Sequence, residues 1–135
     1  MAKKYDFTNF SFDTIEDKAI PRLEHEFRPI EDDPDIVVKC NYFKAGEKGT
    51  FIDVSAKEER ATFNFRRIVE KQVISISGLV LTVTDAKTGK PLDFAVKDPE
   101  TLLSLPDVGI VNQMVQSIAN HLISNDTLSE KQEGN

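Results

Sequence analysis

The sequence predicts an α+β fold: antiparallel hairpins forming a small sheet, packed with a central helix and a C-terminal helical pair. Three observations carry this expectation. Short runs of apolar residues alternate with polar ones at period two, and turn-forming clusters separate them. Helix-start signals, Ser55 with Glu58 and Asp98 with Pro99, follow those runs. Near the C-terminus, Val111, Met114, Val115, Ile118 and Leu122 recur at spacings of 3, 1, 3 and 4, the stripe of an amphipathic helix.

Residues 1–20 read as an N-terminal arm. Phe7, Phe10 and Phe12 alternate loosely with polar residues, as in a short strand or a docking arm. Such rings must be buried somewhere, either on the chain's own core or on a neighbouring subunit, so they are candidate partner-binding residues. A single α+β domain is expected over residues 21–123. Within residues 22–30, Leu23, His25 and Phe27 alternate with charged residues as a strand. Pro29 has no amide donor, so it ends that strand or sets it at an edge. An acidic turn follows at residues 31–35. Strands are expected at 36–43 and 50–54, and the Gly46–Gly49 turn between them suggests that 36–54 is a hairpin.

Ser55 and Glu58 match a capping box, which predicts a helix over 55–71 with Ala61, Phe65, Ile68 and Val69 on one face. Phe63 and Phe65 also fit a strand period. Residues 72–84 read as one long strand, with Gly78 marking a bulge or a close approach. A turn at 85–91 returns the chain into a strand at 92–96. Asp98 caps a short helix that must stop by Leu105, because Pro106 disfavours helical geometry before it. Asp107 is the expected cap of the last helix. Residues 124–135 form a polar tail that frays on its own.

Composition narrows the function. The 135 residues suit one domain with a sizeable core. A net charge of −6 repels phosphate backbones, so nucleic acid is not an expected partner. The basic clusters, Lys3 with Lys4 and Arg60 with Arg66 and Arg67, are small, and Arg66 and Arg67 read as a solvated helix face. Cys40 is the single cysteine, so no intramolecular disulfide forms. Its apolar run, residues 36–40, suggests a small buried hydrophobe. The first seven residues lack the apolar core of a signal peptide, and no run approaches a membrane span. The expected location is therefore the cytoplasm of the cell that makes it.

Cofactor motifs are not found. Gly89 and Lys90 are followed by Pro91 where a phosphate loop needs Ser or Thr. Zinc needs about four ligands at workable spacing, and one Cys with two distant His argues against it. The acidic turn lacks the Gly and the bidentate Glu of a calcium-binding loop. Glu24 and Glu26 flank His25 and are expected to raise its pKa, making it a satisfied structural histidine or a pH-sensitive contact. His121 reads as a packing or boundary residue. No nucleophile, base and orienter stand out together. The expectation is a non-enzymatic protein with no catalytic, cofactor-binding or metal-ligating residues.

In the second half, a β-rich stretch ends in a Gly-Leu step (Gly78, Leu79). It is followed by a Gly-Lys-Pro hairpin tip (Gly89 to Pro91) and a capped Leu-Leu helix (Leu102, Leu103). Then come a Leu-Pro break, an amphipathic helix and a polar tail from Leu128. This layout, covering residues 65–135, resembles the tail assembly chaperones of long-tailed bacteriophages and similar small tail-module proteins. The family often has an aromatic residue before the Gly-Leu step, where this chain has Ser75 to Ser77. The resemblance implies a morphogenesis protein that binds the tape measure protein through exposed apolar surface and leaves as tail tube subunits polymerise. It implies Met114, Val115, Ile118 and Leu122 as client-binding residues; the alternative for that stripe is plain core. A second reading is a virion subunit of a tail, baseplate or capsid, whose two terminal segments clasp neighbouring subunits. Self-association is compatible with either.

Overall fold

The computed structural model describes residues 2–124. In chain order its elements are β1 (Phe12–Ile15), β2 (Lys18–Pro21), β3 (Glu24–Phe27), β4 (Val37–Asn41), β5 (Ile52–Ser55), β6 (Arg60–Phe63), α1 (Phe65–Gln72), β7 (Val73–Ser77), β8 (Leu79–Thr84), β9 (Pro91–Val96), α2 (Pro99–Leu103) and α3 (Gly109–Ile123). A three-stranded antiparallel sheet ordered β3-β4-β7 lies at the centre, and β1–β2, β5–β6 and β8–β9 are separate hairpins. The α+β class, with small antiparallel sheets and a C-terminal helix, is as the sequence predicts. The polar tail, from residue 125 on, lies outside the described residues.

The central strand β4 alternates as expected: Val38 and Cys40 are fully buried, and Val37, Lys39 and Asn41 are only partly so. Both its edges are occupied, by β3 and by β7. It therefore has no edge left for β5, and the hairpin expected over 36–54 does not form. β5 pairs instead with β6, Ile52 opposite Phe63 and Ser55 opposite Arg60.

That pairing also shortens the helix expected over 55–71. Ser55 Oγ does accept the Glu58 amide at 3.3 Å, but the bond closes a turn between two strands. Glu59 takes a left-handed backbone, φ 50°, which no α-helix continues through. The working cap is Asn64, whose Oδ1 accepts the Arg67 amide at 3.0 Å and starts α1. At its far end, the buried Gln72 donates to the carbonyls of Asn41 and Tyr42 and ties α1 to the end of β4.

The long strand expected over 72–84 breaks into β7 and β8 at Gly78, with φ +80°. A Cβ there would stand 2.0 Å from the Asp35 carbonyl oxygen, so the close approach requires glycine. The return strand and the Asp98 cap hold: β8 pairs with β9, and Asp98 Oδ1 accepts the Thr101 amide at 2.7 Å. Asp107 does not cap α3. The capping position falls on Val108, and Asp107 accepts from Asn112 Nδ2 at 2.8 Å.

One face of the central sheet packs against the helices. The core holds Ile36, Val38, Ile68, Val69, Leu102, Met114, Ile118 and Leu122, each 0–2% exposed. Among the described residues no helix is long and apolar enough to cross a membrane.

Candidate functional site

Two neighbouring strands and the last helix bring together three side chains that are far apart in sequence. The β3–β4 register sets His25 directly opposite Cys40, and Phe27 opposite Val38. Directly opposite residues share a sheet face, so His25 and Phe27 lie on the buried face with Cys40. Period two sends Glu24 and Glu26 to the other face, where Glu24 meets Lys39 at 2.7 Å. On α3, His121 follows the buried Ile118 by three residues and precedes the buried Leu122, which places it at the rim of the apolar stripe. Ser117 donates to the Pro29 carbonyl and helps seat this helix against the end of β3.

The resulting cluster is tight. His25 Nε2 and His121 Nε2 are 2.8 Å apart, and Cys40 Sγ lies 3.6 Å from His25 Nε2. One donor atom from each of the three residues falls within 4.8 Å of the others. His25 Nδ1 faces the Leu23 carbonyl at 3.3 Å. A proton on Nδ1 donates there and leaves Nε2 with its lone pair turned into the cluster, where the His121 Nε2–H donates to it. The rings are held by stacking: Tyr42 on His25 with centroids 3.6 Å apart, and Phe27 on His121 at 3.8 Å.

Burial sets the electrostatics. It lowers the His25 pKa, and together with the neighbouring His25 it pushes His121 down to about 4. Glu24 and Glu26 do not raise His25, as their place in sequence suggested, because they lie across the sheet from it. Burial also pushes the Cys40 thiol up to about 12. A fully buried thiol held protonated is a poor nucleophile, so Cys40 and His25 do not make an activated dyad despite their contact. What the trio offers is a thiol sulfur and two imidazole nitrogens converging in a partly dry site.

Beside the cluster, the N-terminal arm closes over a cavity of about 400 Å³ lined by Phe7, Phe10, Phe12, Leu23, Tyr42 and Leu122, among others. Phe10 packs edge-on against Tyr42, with centroids 5.1 Å apart, and Phe7 leans on Phe10 at 5.6 Å. Tyr42 thus has Phe10 as one neighbour and His25 as another. Of the three Phe residues singled out in the sequence, Phe10 is the one with a ring contact to the central sheet; Phe7 and Phe12 line the cavity but stay 54% and 46% exposed.

The helix stripe behaves differently. Met114, Ile118 and Leu122 are buried core, and Val115 is half-buried. The client-surface expectation for the three buried residues gives way to the core alternative, because α3 packs them against α1 and the sheet. Arg66 and Arg67 are also engaged: Arg66 donates to the Leu103 carbonyl and Arg67 to the Thr50 carbonyl. The sequence reading missed the convergence of His25, Cys40 and His121. Its only trace was parity, since His25 alternates with Leu23 and Phe27, and Cys40 with Val38. Comparison with protein-family models, curated proteins and solved structures finds no match.

Proposed function

We propose that this chain is a non-enzymatic bacteriophage morphogenesis protein that engages a protein partner through its N-terminal arm and first hairpin. One observation carries the reading: Tyr5, Phe7, Phe12, Ile15 and Ile20 all remain exposed within the first 20 residues. Four of the five side chains are 46% exposed or more, and Ile20 is 45% exposed. Among the described residues, the hairpin that carries three of them, β1–β2, packs extensively against no other strand or helix. A lone two-stranded hairpin is marginal in water, and exposed aromatic and β-branched side chains clustered on one segment mark an interaction surface. The tight β3-β4-β7 core holds this segment in place at the Phe10–Tyr42 contact.

The resemblance of residues 65–135 to tail assembly chaperones supplies the setting and the partners, namely tape measure, tail tube or neighbouring virion subunits. Burial of Met114, Ile118 and Leu122 weighs towards the arm, and away from α3, as the contact surface under either the chaperone or the virion-subunit reading. An acidic chain also suits a protein that must stay soluble while handling apolar surface.

The test uses the double variant Phe7→Ser, Phe12→Ser in the full chain. It should unfold at the same urea concentration as the parent and lose co-purification with the tape measure protein or with tail particles. Retained co-purification by the folded variant would refute an arm-mediated role. Mass spectrometry of purified particles then separates the two settings. Stoichiometric recovery identifies a virion subunit, and presence in infected-cell lysate alone identifies a chaperone.

A further inference from the structure

We infer that His25, Cys40 and His121 form a three-ligand site for a divalent transition-metal ion, with Zn²⁺ the fitting occupant, that pins α3 to the β3–β4 pair. This stands apart from the proposed partner binding, because none of the three residues belongs to the arm.

The geometry is close to what zinc needs. Zinc–nitrogen bonds near 2.0–2.1 Å and zinc–sulfur bonds near 2.3 Å imply, at tetrahedral angles, roughly 3.3 Å between nitrogens and 3.5 Å between nitrogen and sulfur. Cys40 Sγ already stands 3.6 Å from His25 Nε2. The two Nε2 atoms, 2.8 Å apart, need to open by about half an ångström, a small rotation of His121 at the rim of its helix. The remaining pair, Cys40 with His121, has donor atoms within 4.8 Å and would draw in to about 3.5 Å on binding.

The surroundings match as well. A metal-ligating imidazole normally donates its other N–H to a carbonyl or carboxylate, which fixes the tautomer. His25 has that partner in the Leu23 carbonyl at 3.3 Å. Tyr42 and Phe27 stack on the two imidazoles and form the apolar shell that limits water. The sulfur comes from β4, one nitrogen from β3 and the other from α3, so one ion bridges three elements. One thiolate with two imidazoles is a borderline-soft set suited to Zn²⁺, and the fourth position is open to water or to a donor from a partner. The buried Met114 is not an axial ligand of a copper-type site: it lies seven residues before His121, about 10 Å along the helix axis.

The binding step balances. The Cys40 thiol releases its proton to solvent and forms the sulfur–zinc bond. The His121 proton moves from Nε2 to Nδ1, which frees the Nε2 lone pair, and His25 Nε2 binds with the lone pair it already presents.

The experiment titrates the reduced, metal-free full chain with Co²⁺ and follows absorption, then displaces the Co²⁺ with Zn²⁺. Cys40 is the single cysteine, so a thiolate-to-Co²⁺ charge-transfer band reports that ligand without any substitution. The expected result is tetrahedral Co²⁺ bands saturating at one equivalent, bleached by Zn²⁺, and a melting temperature raised by several degrees that chelator reverses. The variant His121→Gln should lose the intensity while remaining folded, and Phe7→Ser, Phe12→Ser should keep it. Absence of a charge-transfer band in the parent chain at stoichiometric Co²⁺ overturns the site. So does an unchanged spectrum in folded His121→Gln, which would mark the cluster as a metal-free hydrogen-bond network and place any bound ion elsewhere.

Discussion

Replacing Ile118 by Ala tests whether the α3 stripe is core or client surface. Ile118 is 0% exposed and sits in the cluster with Ile68, Met114 and Leu122. The substitution deletes three carbons, and at about 0.8 kcal/mol each the transfer loss is about 2.4 kcal/mol. Incomplete collapse of the cavity adds about 1 kcal/mol. The better helix propensity of Ala returns about 0.4 kcal/mol. The net loss is about 3 kcal/mol, within the total of about 5–15 kcal/mol expected of a domain this size, so the variant should still fold at 25 °C. Val115→Ala is the internal control on the same helix. Val115 is only half-buried, and its truncation should cost under about 1 kcal/mol. Urea unfolding followed by circular dichroism measures both, with an unchanged denaturant slope confirming that the same surface unfolds. An Ile118→Ala loss below about 1 kcal/mol, or one no larger than that of Val115→Ala, would refute the core assignment. It would return the stripe to the list of partner surfaces, where its truncation should impair binding instead of stability.

Two further outcomes follow from the Gly78 contact and the histidine pair. Gly78→Ala forces a Cβ to 2.0 Å from the Asp35 oxygen at φ +80°, so it should destabilise by about 3–4 kcal/mol in urea; a loss under about 1 kcal/mol would show that the β7–β8 break tolerates a side chain. In the presence of chelator, stability should fall as pH drops from about 6.5 towards 4. Both histidines have folded pKa values below the unfolded value of 6.5, so the unfolded chain binds more protons through that window and stability rises with pH. Discounted for the partial exposure of His121, its share is about 1–2 kcal/mol. His121→Gln should flatten the slope by that amount, and an unchanged slope would refute the assignment.

The sequence carried much of the local structure because local signals are short-range. Strand alternation around His25 and Cys40, the Asp98-Pro99 helix start, the β8–β9 return and the α3 stripe all depend on neighbours a few residues away. The errors fall where a local signal met a longer-range competitor. The Ser55–Glu58 capping box formed its hydrogen bond, yet β5–β6 pairing and the left-handed Glu59 turned the segment into a hairpin. The 36–54 hairpin failed because β3 and β7 already occupy both edges of β4.

The sequence by itself determined the α+β class, a bulge or close approach at Gly78 and the presence of a Phe-rich arm with something to bury. Only the tertiary structure decided that Phe10 packs on Tyr42 while Phe7 and Phe12 stay largely exposed, and that Met114, Ile118 and Leu122 are core. It alone also showed that His25, Cys40 and His121 meet. His121 Nε2 and His25 Nε2 are 96 residues apart in sequence and 2.8 Å apart in space. Strand register and helix docking set that distance, and both are properties of the packed chain that no local periodicity encodes.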